Sequence, residues 1–394
     1  MKVNYGRSLE EGLKMTFKFN TKTVHFQKKS EEKNVSKSQP IYQTSAFSFK
    51  DLDDMEDFFR GNKDYLYTRY SNPNTEDLGQ GVAQLEGAPK GVATSSGMSA
   101  ILAGVLAVVS HGDHIIASED IYGGTYQLFA NELKEFGIRV SFVSMDNIDE
   151  IEQAIQEDTK LLYSETVTNP LLRVEDIKAL IKLAKKYNLK TMFDNTFATP
   201  FLSKPYELGA DLVVHSATKY IGGHSDVTAG VLVGDEALMS KAKSKVINLG
   251  CNLSPFEGWL ACRGLKTLAV RMACQVKNAQ ALADFLRHHE AIEKVYYPSS
   301  VSENGNGAIV TIDIGEKCDL NTFFQSLNWI KIVPTLAGVE TSVTYPLGTS
   351  HRSVPDAVRR KLGITKGLVR ISLGIEDSED IIKAFSEAIK KSQR

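Results

Sequence analysis

The sequence predicts an α/β protein, with a large domain built on a mostly parallel sheet and a smaller α/β domain after it. Three observations carry this. Short runs rich in β-branched residues recur from about residue 90, helix-patterned stretches separate most of them, and the texture changes near residue 257. At 394 residues the chain is also too long for one ordinary core, so two domains are expected.

Residues 1–40 are polar and lysine-rich, with KKSEEKNVSKSQP at 28–40 closed by Pro40. That composition reads as an arm lying on the surface or reaching a neighbouring subunit, or equally as a frayed tail, and not as core. The arm is set at 1–60, the large domain at 61–256 and the C-terminal domain at 257–394. The expected strands of the large domain are GVAT at 91–94, HIIAS at 114–118, RVSFV at 139–143, LLYSE at 161–165, KTMFD at 190–194, DLVVHS at 211–216 and GVLVG at 230–234. Between two of them, Val174 to Lys186 carries apolar residues at 174, 177, 180, 181 and 184, one face of a helix. Strand and helix alternating in this way give a parallel sheet covered on both faces, with its working loops at the carboxyl ends of the strands.

The stretch from 257 to about 290 is helical in pattern, with Trp259, Leu260, Leu265, Leu268 and Val270 as core candidates. GAIVTIDIG at 307–315 and LVRISLGI at 368–375 read as strands of a second sheet. DSEDIIKAFSEAIKKS closes the chain as a helix opened by Asp377 or Ser378.

Composition excludes several classes. Hydrophobic residues are 42% and charged residues 24%, ordinary for a soluble globular chain. The formal net charge is -2, so bulk charge draws neither nucleic acid nor an anionic membrane. The longest apolar run, Ile101 to Val109, falls short of the ~20 residues a spanning helix needs. The N-terminus lacks the apolar core of a secretory signal, and the four cysteines form no C-x-x-C pair. Reduced thiols in the cytoplasm are the expectation.

The chemistry sits at strand ends. SSGMSAIL at 95–102 opens a helix after GVAT, where backbone N–H groups can meet a phosphate, although an ordinary Ser/Gly helix cap is the plainer reading of this motif alone. YGGTY at 122–126 puts Tyr122 where a ring can lie on a flat ligand, although a packed turn tyrosine is the plainer reading. FDNTFATP at 193–200 places Asp194 where a strand leaves the core, and no neighbouring His or Cys offers a second metal ligand, so no metal is expected. HSATKYIGGHSD at 215–226 places Lys219 just past a buried strand, flanked by Ser216 and Thr218. A lysine stripped of water there becomes neutral and nucleophilic, as Schiff-base chemistry requires. His215 and His224 read as hydrogen-bonded structural residues. Together these sites supply phosphate donors, a stacking ring, an acid for a ring nitrogen and an amine nucleophile, the parts of a pyridoxal 5'-phosphate site.

With YTRYSNPNT at 67–75, ETVTNP at 165–170 and LVRISLGIED at 368–377 added, the sequence resembles the Cys/Met metabolism family of fold-type-I pyridoxal phosphate enzymes, from about residue 40 to the end. The resemblance implies a transferase-type fold with a seven-stranded sheet, and a cofactor held as a Schiff base on Lys219. It implies that Asp194 pairs with the ring nitrogen and Tyr122 stacks on the ring. It assigns the phosphate to Gly97, Met98, Ser216 and Thr218, with Thr196 also at the cofactor. Tyr67 and Arg69 would reach the phosphate of a neighbouring subunit, giving an active dimer and, as two dimers, a homotetramer. Arg370 would clamp the substrate α-carboxylate, and Asn169 and Thr335 would line the substrate. The implied reaction is elimination or replacement at the β- or γ-carbon of a sulfur amino acid, of the cystathionine γ-lyase or γ-synthase type, with an O-acylhomoserine sulfhydrylase or methionine γ-lyase as alternatives. A non-catalytic binding protein on the same fold is set aside because Lys219, Asp194 and Tyr122 are all present. A dinucleotide-binding dehydrogenase fails because SSGMSA is not G-x-G-x-x-G.

Three positions depart from the family pattern. Gln127 stands where many cystathionine-handling members carry an arginine, and Pro334 precedes Thr335 where a glutamate is common. Gly124 stands where methionine γ-lyases have a cysteine. A neutral Gln127 suits a small thiol or sulfide acceptor, or a substrate without a distal carboxylate.

Overall fold

The computed structural model of the protein describes residues 17–27, 36–352 and 354–394. Among the described residues the first helix, α1, is Phe19–Val24. Helix α2 (Pro73–Glu86) starts where its sequence says it should. Asn72 caps it by accepting from Asn74 N, and Pro73 occupies a first-turn position where no N–H is needed. Gly87 ends it at φ 78°, a left-handed conformation that favours glycine.

Seven strands follow as one sheet: β1 (Lys90–Thr94), β2 (His114–Ser118), β3 (Arg139–Val143), β4 (Thr159–Glu165), β5 (Lys190–Asp194), β6 (Leu212–His215) and β7 (Gly230–Gly234). Their spatial order is β1-β7-β6-β5-β4-β2-β3. All neighbours run parallel except β7, which is antiparallel to both β1 and β6. Each β-branched run of the sequence is one of these strands. Strands β2 and β7 are buried along their whole length, as a sheet covered on both faces demands. Along β2, Ile116 joins the core on one face while Ile115 and Ala117 join the other.

Helix α3 (Gly97–Val108) leaves β1, and α4 (Ile177–Lys186) connects β4 to β5. The expected start of α4 at Val174 is three residues early. Val174 pairs with Val167 in an isolated bridge and is exposed, while Asp176 caps the helix by accepting from Ala179 N. The hydrophobic period ran on through a residue that the cap excludes.

Helices α5 (Pro255–Leu265) and α6 (Leu268–Arg287) lead to the second sheet. Leu265 and Leu268 are buried and Trp259 and Leu260 half-buried, but Val270 is 66% exposed and is no core residue. The second sheet has β8 (Lys294–Tyr296), β9 (Ile309–Asp313), β10 (Lys331–Ile332), β11 (Ser342–Thr344) and β12 (Leu368–Ser372), in the order β10-β11-β12-β9-β8. The closing helix α7 (Ser378–Ser392) buries Ile381, Phe385 and Ile389 in that domain's core.

The N-terminal arm needs one correction. Thr23 is buried, and Phe26 joins the main core beside Leu265 and Gly81, so residues 17–27 are partly core. Most of the lysine-rich stretch at 28–40 lies outside the described residues. Among the described residues no helix is long and apolar enough to cross a membrane.

Candidate active site

Three adjacent parallel strands end in polar residues at one edge of the sheet: Glu165 on β4, Asp194 on β5 and His215 on β6. Register puts Glu165 directly beside Asp194. The turn after β6 then carries Lys219, whose N–H donates to Ser216 O at 3.0 Å.

Lys219 Nζ donates to Thr335 Oγ1 at 3.1 Å. Burial, and then the positive Arg370, push the Lys219 amine down to about 8, with Asp194 opposing. A larger share of it is therefore neutral near physiological pH than of an ordinary lysine. Asp194 accepts from Thr196 N at 2.9 Å, and Thr196 Oγ1 accepts from Ser216 N at 2.8 Å. Thr196 thus ties the Asp194 turn to the turn that carries Lys219. Burial raises the Asp194 carboxyl, and the Thr196 bonds oppose it.

The start of α3 abuts the same place. Ser96 caps it, accepting from Ser99 N at 3.1 Å. A Cβ on Gly97 would lie 2.7 Å from Ser216 Cβ, so the helix start and the Ser216 turn form one cradle. Gly97 and Ser216 therefore adjoin, and Met98 follows Gly97 in the first turn of the helix. Thr218 is engaged differently: its hydroxyl donates to Ala229 O and accepts from Ala229 N, at 3.1 and 3.0 Å. In this arrangement it has no proton left to give. Tyr122 precedes a short helical turn, is 42% exposed, and its backbone N–H donates to Glu165 Oε1 at 2.7 Å.

The C-terminal domain contributes Arg370, on β12. It is 2% exposed, and no carboxylate pairs with it among the described residues. Nη1 donates to Asn169 Oδ1 at 3.0 Å, and Nη2 donates to Thr335 O and Thr344 Oγ1 at 3.1 and 3.2 Å. Nε has no partner. Burial lowers the guanidinium to about 10. A buried cation with an unused N–H is costly unless an anion arrives to pair with it.

Tyr67 and Arg69 are not brought to this cluster within the chain. Arg69 stacks over the rings of Tyr67 and Tyr70 and donates to Ile247 O at 3.4 Å. Of the two histidines, His215 meets Glu86 Oε1 at 2.9 Å and His224 meets Gly222 O at 2.7 Å, both structural contacts.

Sequence reasoning missed Glu165 and the layer behind Asp194. Glu86 Oε1 accepts from Asn195 Nδ2 at 2.7 Å as well as meeting His215, and all three residues are buried. It also missed the clamp between Asp120 and Arg173, at 2.8 Å, which joins the segment before Tyr122 to the segment after Asn169. Glu165 stood in the ETVTNP motif, but only strand register reveals that it lies beside Asp194.

The fit of a cofactor is decided by the donor set. Pyridoxal 5'-phosphate brings an aldehyde, a basic ring nitrogen and a phosphate. Here a depressed amine, a carboxylate on the next strand, and a glycine-lined helix start against a serine turn lie at one sheet edge. The residues fit the group, and fold and site together define a pyridoxal phosphate-dependent enzyme.

Comparison with known proteins narrows this class. The model of the Cys/Met metabolism PLP-dependent enzymes matches residues 20–390. The chain is 39% identical over 382 residues to a cystathionine β-lyase of Lactococcus lactis subsp. cremoris, covering 94% of this chain and 98% of that protein. It is 38% identical over 370 residues to a cystathionine γ-synthase/O-acetylhomoserine (thiol)-lyase of Bacillus subtilis, covering 94% and 95%. The crystal structure of cystathionine γ-lyase from Lactobacillus plantarum, complexed with L-serine, superposes with a TM-score of 0.89 at 35% identity, covering 95% and 99%. The chain belongs to the Cys/Met metabolism family of pyridoxal phosphate-dependent enzymes.

Proposed function

We propose that this enzyme makes or breaks the carbon–sulfur bond at the β- or γ-carbon of a sulfur amino acid, as the names of its relatives describe for them. The observation that carries the reading is Arg370: a buried guanidinium without a carboxylate, joined through Thr335 to the amine of Lys219. An α-amino acid supplies the missing carboxylate, and binding there brings its α-carbon toward Lys219.

Pyridoxal phosphate, when bound, supplies an electron sink for negative charge at the substrate α-carbon. The residues do the rest. Lys219 holds the cofactor and, once freed, takes the α-proton on Nζ. Thr335 orients that amine by accepting a hydrogen bond from it. Asp194 stays anionic to keep a proton on the ring nitrogen. Tyr122 covers the ring and excludes water from one face. Gly97, Met98 and Ser216 hold the phosphate, with Thr196 fixing the turn between them. Thr218 joins them only by turning its hydroxyl proton away from Ala229 O. Arg370 and Asn169 hold the carboxylate.

Tyr67 and Arg69 serve a neighbouring subunit in this reading, within a homotetramer of two active dimers. Phe59, Tyr67 and Tyr70 leave an exposed aromatic face on that segment, which supports an interface there. Free cysteines support a reducing compartment, the cytoplasm.

The test offers the purified holoenzyme cystathionine, homocysteine, cysteine, methionine and O-acetylhomoserine singly, and O-acetylhomoserine with sulfide or cysteine, and follows both keto-acid release and the formation of new thiol or thioether products. Keto acid from one sulfur amino acid alone identifies a lyase. Turnover only with an activated homoserine plus a thiol identifies a synthase or sulfhydrylase. No turnover of any of them refutes the proposal.

A further inference from the structure

Glu165 is 5% exposed, and no lysine, arginine or histidine pairs with it among the described residues. Its strand partner is Asp194, itself held by Thr196. The other titratable groups that bear on it are Asp120 and Glu175, and Tyr163 is a further neighbour. The nearby basic groups are engaged elsewhere: Arg173 with Asp120, His215 with Glu86, and Lys219 with Thr335. Two carboxyl groups side by side in such a setting do not both ionise. The groups compete for one proton, and Asp194 has the better claim to the charge, because it accepts from Thr196 N and feels both His215 and Lys219. Burial first, and Asp194 second, raise the Glu165 carboxyl well above the usual range.

Glu165 also has a mechanical task. Its Oε1 accepts the backbone N–H of Tyr122 at 2.7 Å. Gly123 follows, packed so closely against Ser350 O that any side chain there would collide with it. The Tyr122 backbone is thus held from both sides.

We propose that Glu165 is a positioning residue that works in its neutral, protonated form: it anchors the Tyr122 backbone while leaving the negative charge of the strand-end pair on Asp194. This rests on the reading of Asp194 as the partner of the cofactor ring nitrogen. A glutamine keeps the shape and the acceptor without any charge, so it replaces Glu165 in function, whereas an aspartate or alanine does not reach Tyr122 N.

The experiment compares wild type with Glu165→Gln, Glu165→Asp and Glu165→Ala. The first readout is infrared spectroscopy of the ¹³C-glutamate-labelled apoenzyme and holoenzyme above pH 8, where Glu175, raised to about 7, is ionised. A protonated-carboxyl carbonyl band in the wild type that vanishes in Glu165→Gln is expected. The second is the visible absorption of the bound cofactor and the pH midpoint of that absorption. Both should match wild type in Glu165→Gln and differ in Glu165→Ala, with kcat at least about tenfold higher in the glutamine variant than in the alanine variant. Absence of the band in wild type, or a glutamine variant that behaves as badly as alanine in spectrum and midpoint, overturns the proposal. If Glu165→Ala fails to fold, loss of the band in Glu165→Gln and the spectra of Glu165→Gln against Glu165→Asp decide the case. A wild type without any cofactor absorption would instead refute the underlying assignment of the site.

Discussion

Lys219 and Arg370 lie 151 positions apart in the chain, yet both bond to Thr335: Nζ of one to its hydroxyl at 3.1 Å, Nη2 of the other to its carbonyl at 3.1 Å. One residue of the C-terminal domain therefore sets the spacing between the proposed nucleophile and the proposed carboxylate clamp. The positive Arg370 also helps to keep the amine neutral. The chemistry requires both.

The Lys219 amine is lowered from 10.5 to about 8, so its proton leaves at lower pH than that of an ordinary lysine. The neutral amine attacks the cofactor aldehyde. Cofactor uptake by the apoenzyme should rise about tenfold from pH 7 to pH 9 and then level off. Stopped-flow absorbance measures it. A rate still climbing steeply above pH 10 would mean an unperturbed lysine.

Arg370 presents a planar fork, and a lysine cannot reproduce its three bonds. Arg370→Lys should lower kcat/KM roughly tenfold and Arg370→Ala roughly a hundredfold or more, mostly through KM. Substrate amines lacking a carboxylate should be affected far less. An equal loss with both substrate types would argue for a structural role.

Behind the site, Glu86 Oε1 serves both Asn195 Nδ2 and His215 Nε2 with no exposed surface. Glu86→Ala leaves those buried donors short of a partner and should cost on the order of 3 kcal/mol of stability. Chemical denaturation of the variant measures this. A change under about 0.5 kcal/mol would contradict the geometry, since only surface changes are that mild.

Gln127 is a neutral residue whose side-chain oxygen accepts from Asn131 at 2.5 Å. With a neutral amide rather than a cation at position 127, the enzyme should prefer homocysteine or cysteine to cystathionine. Gln127→Arg should shift the ratio of kcat/KM toward cystathionine by roughly tenfold. Steady-state kinetics on the three substrates test it, and a wild type that already favours cystathionine strongly would contradict the expectation.

The sheet was legible because burial on both faces forces continuous β-branched runs, and all seven strands of the large domain follow them. The short strands β8, β10 and β11 carry only two or three residues each, too few for a period to register. Lys219 and Asp194 were legible because strand ends are where a charged residue breaks an apolar run. Glu165 sits at such an end too, but its meaning comes from the residue beside it on the next strand, and register is a property of the fold. Phe26 was hidden inside a polar, lysine-rich segment, where one aromatic does not make a pattern.

The most direct test of the central claim is to reduce the holoenzyme with borohydride and map the peptides by mass spectrometry. A pyridoxyl phosphate group on Lys219 is expected, with activity lost in step with its formation. A group fixed to any other lysine, or none, would contradict the claim.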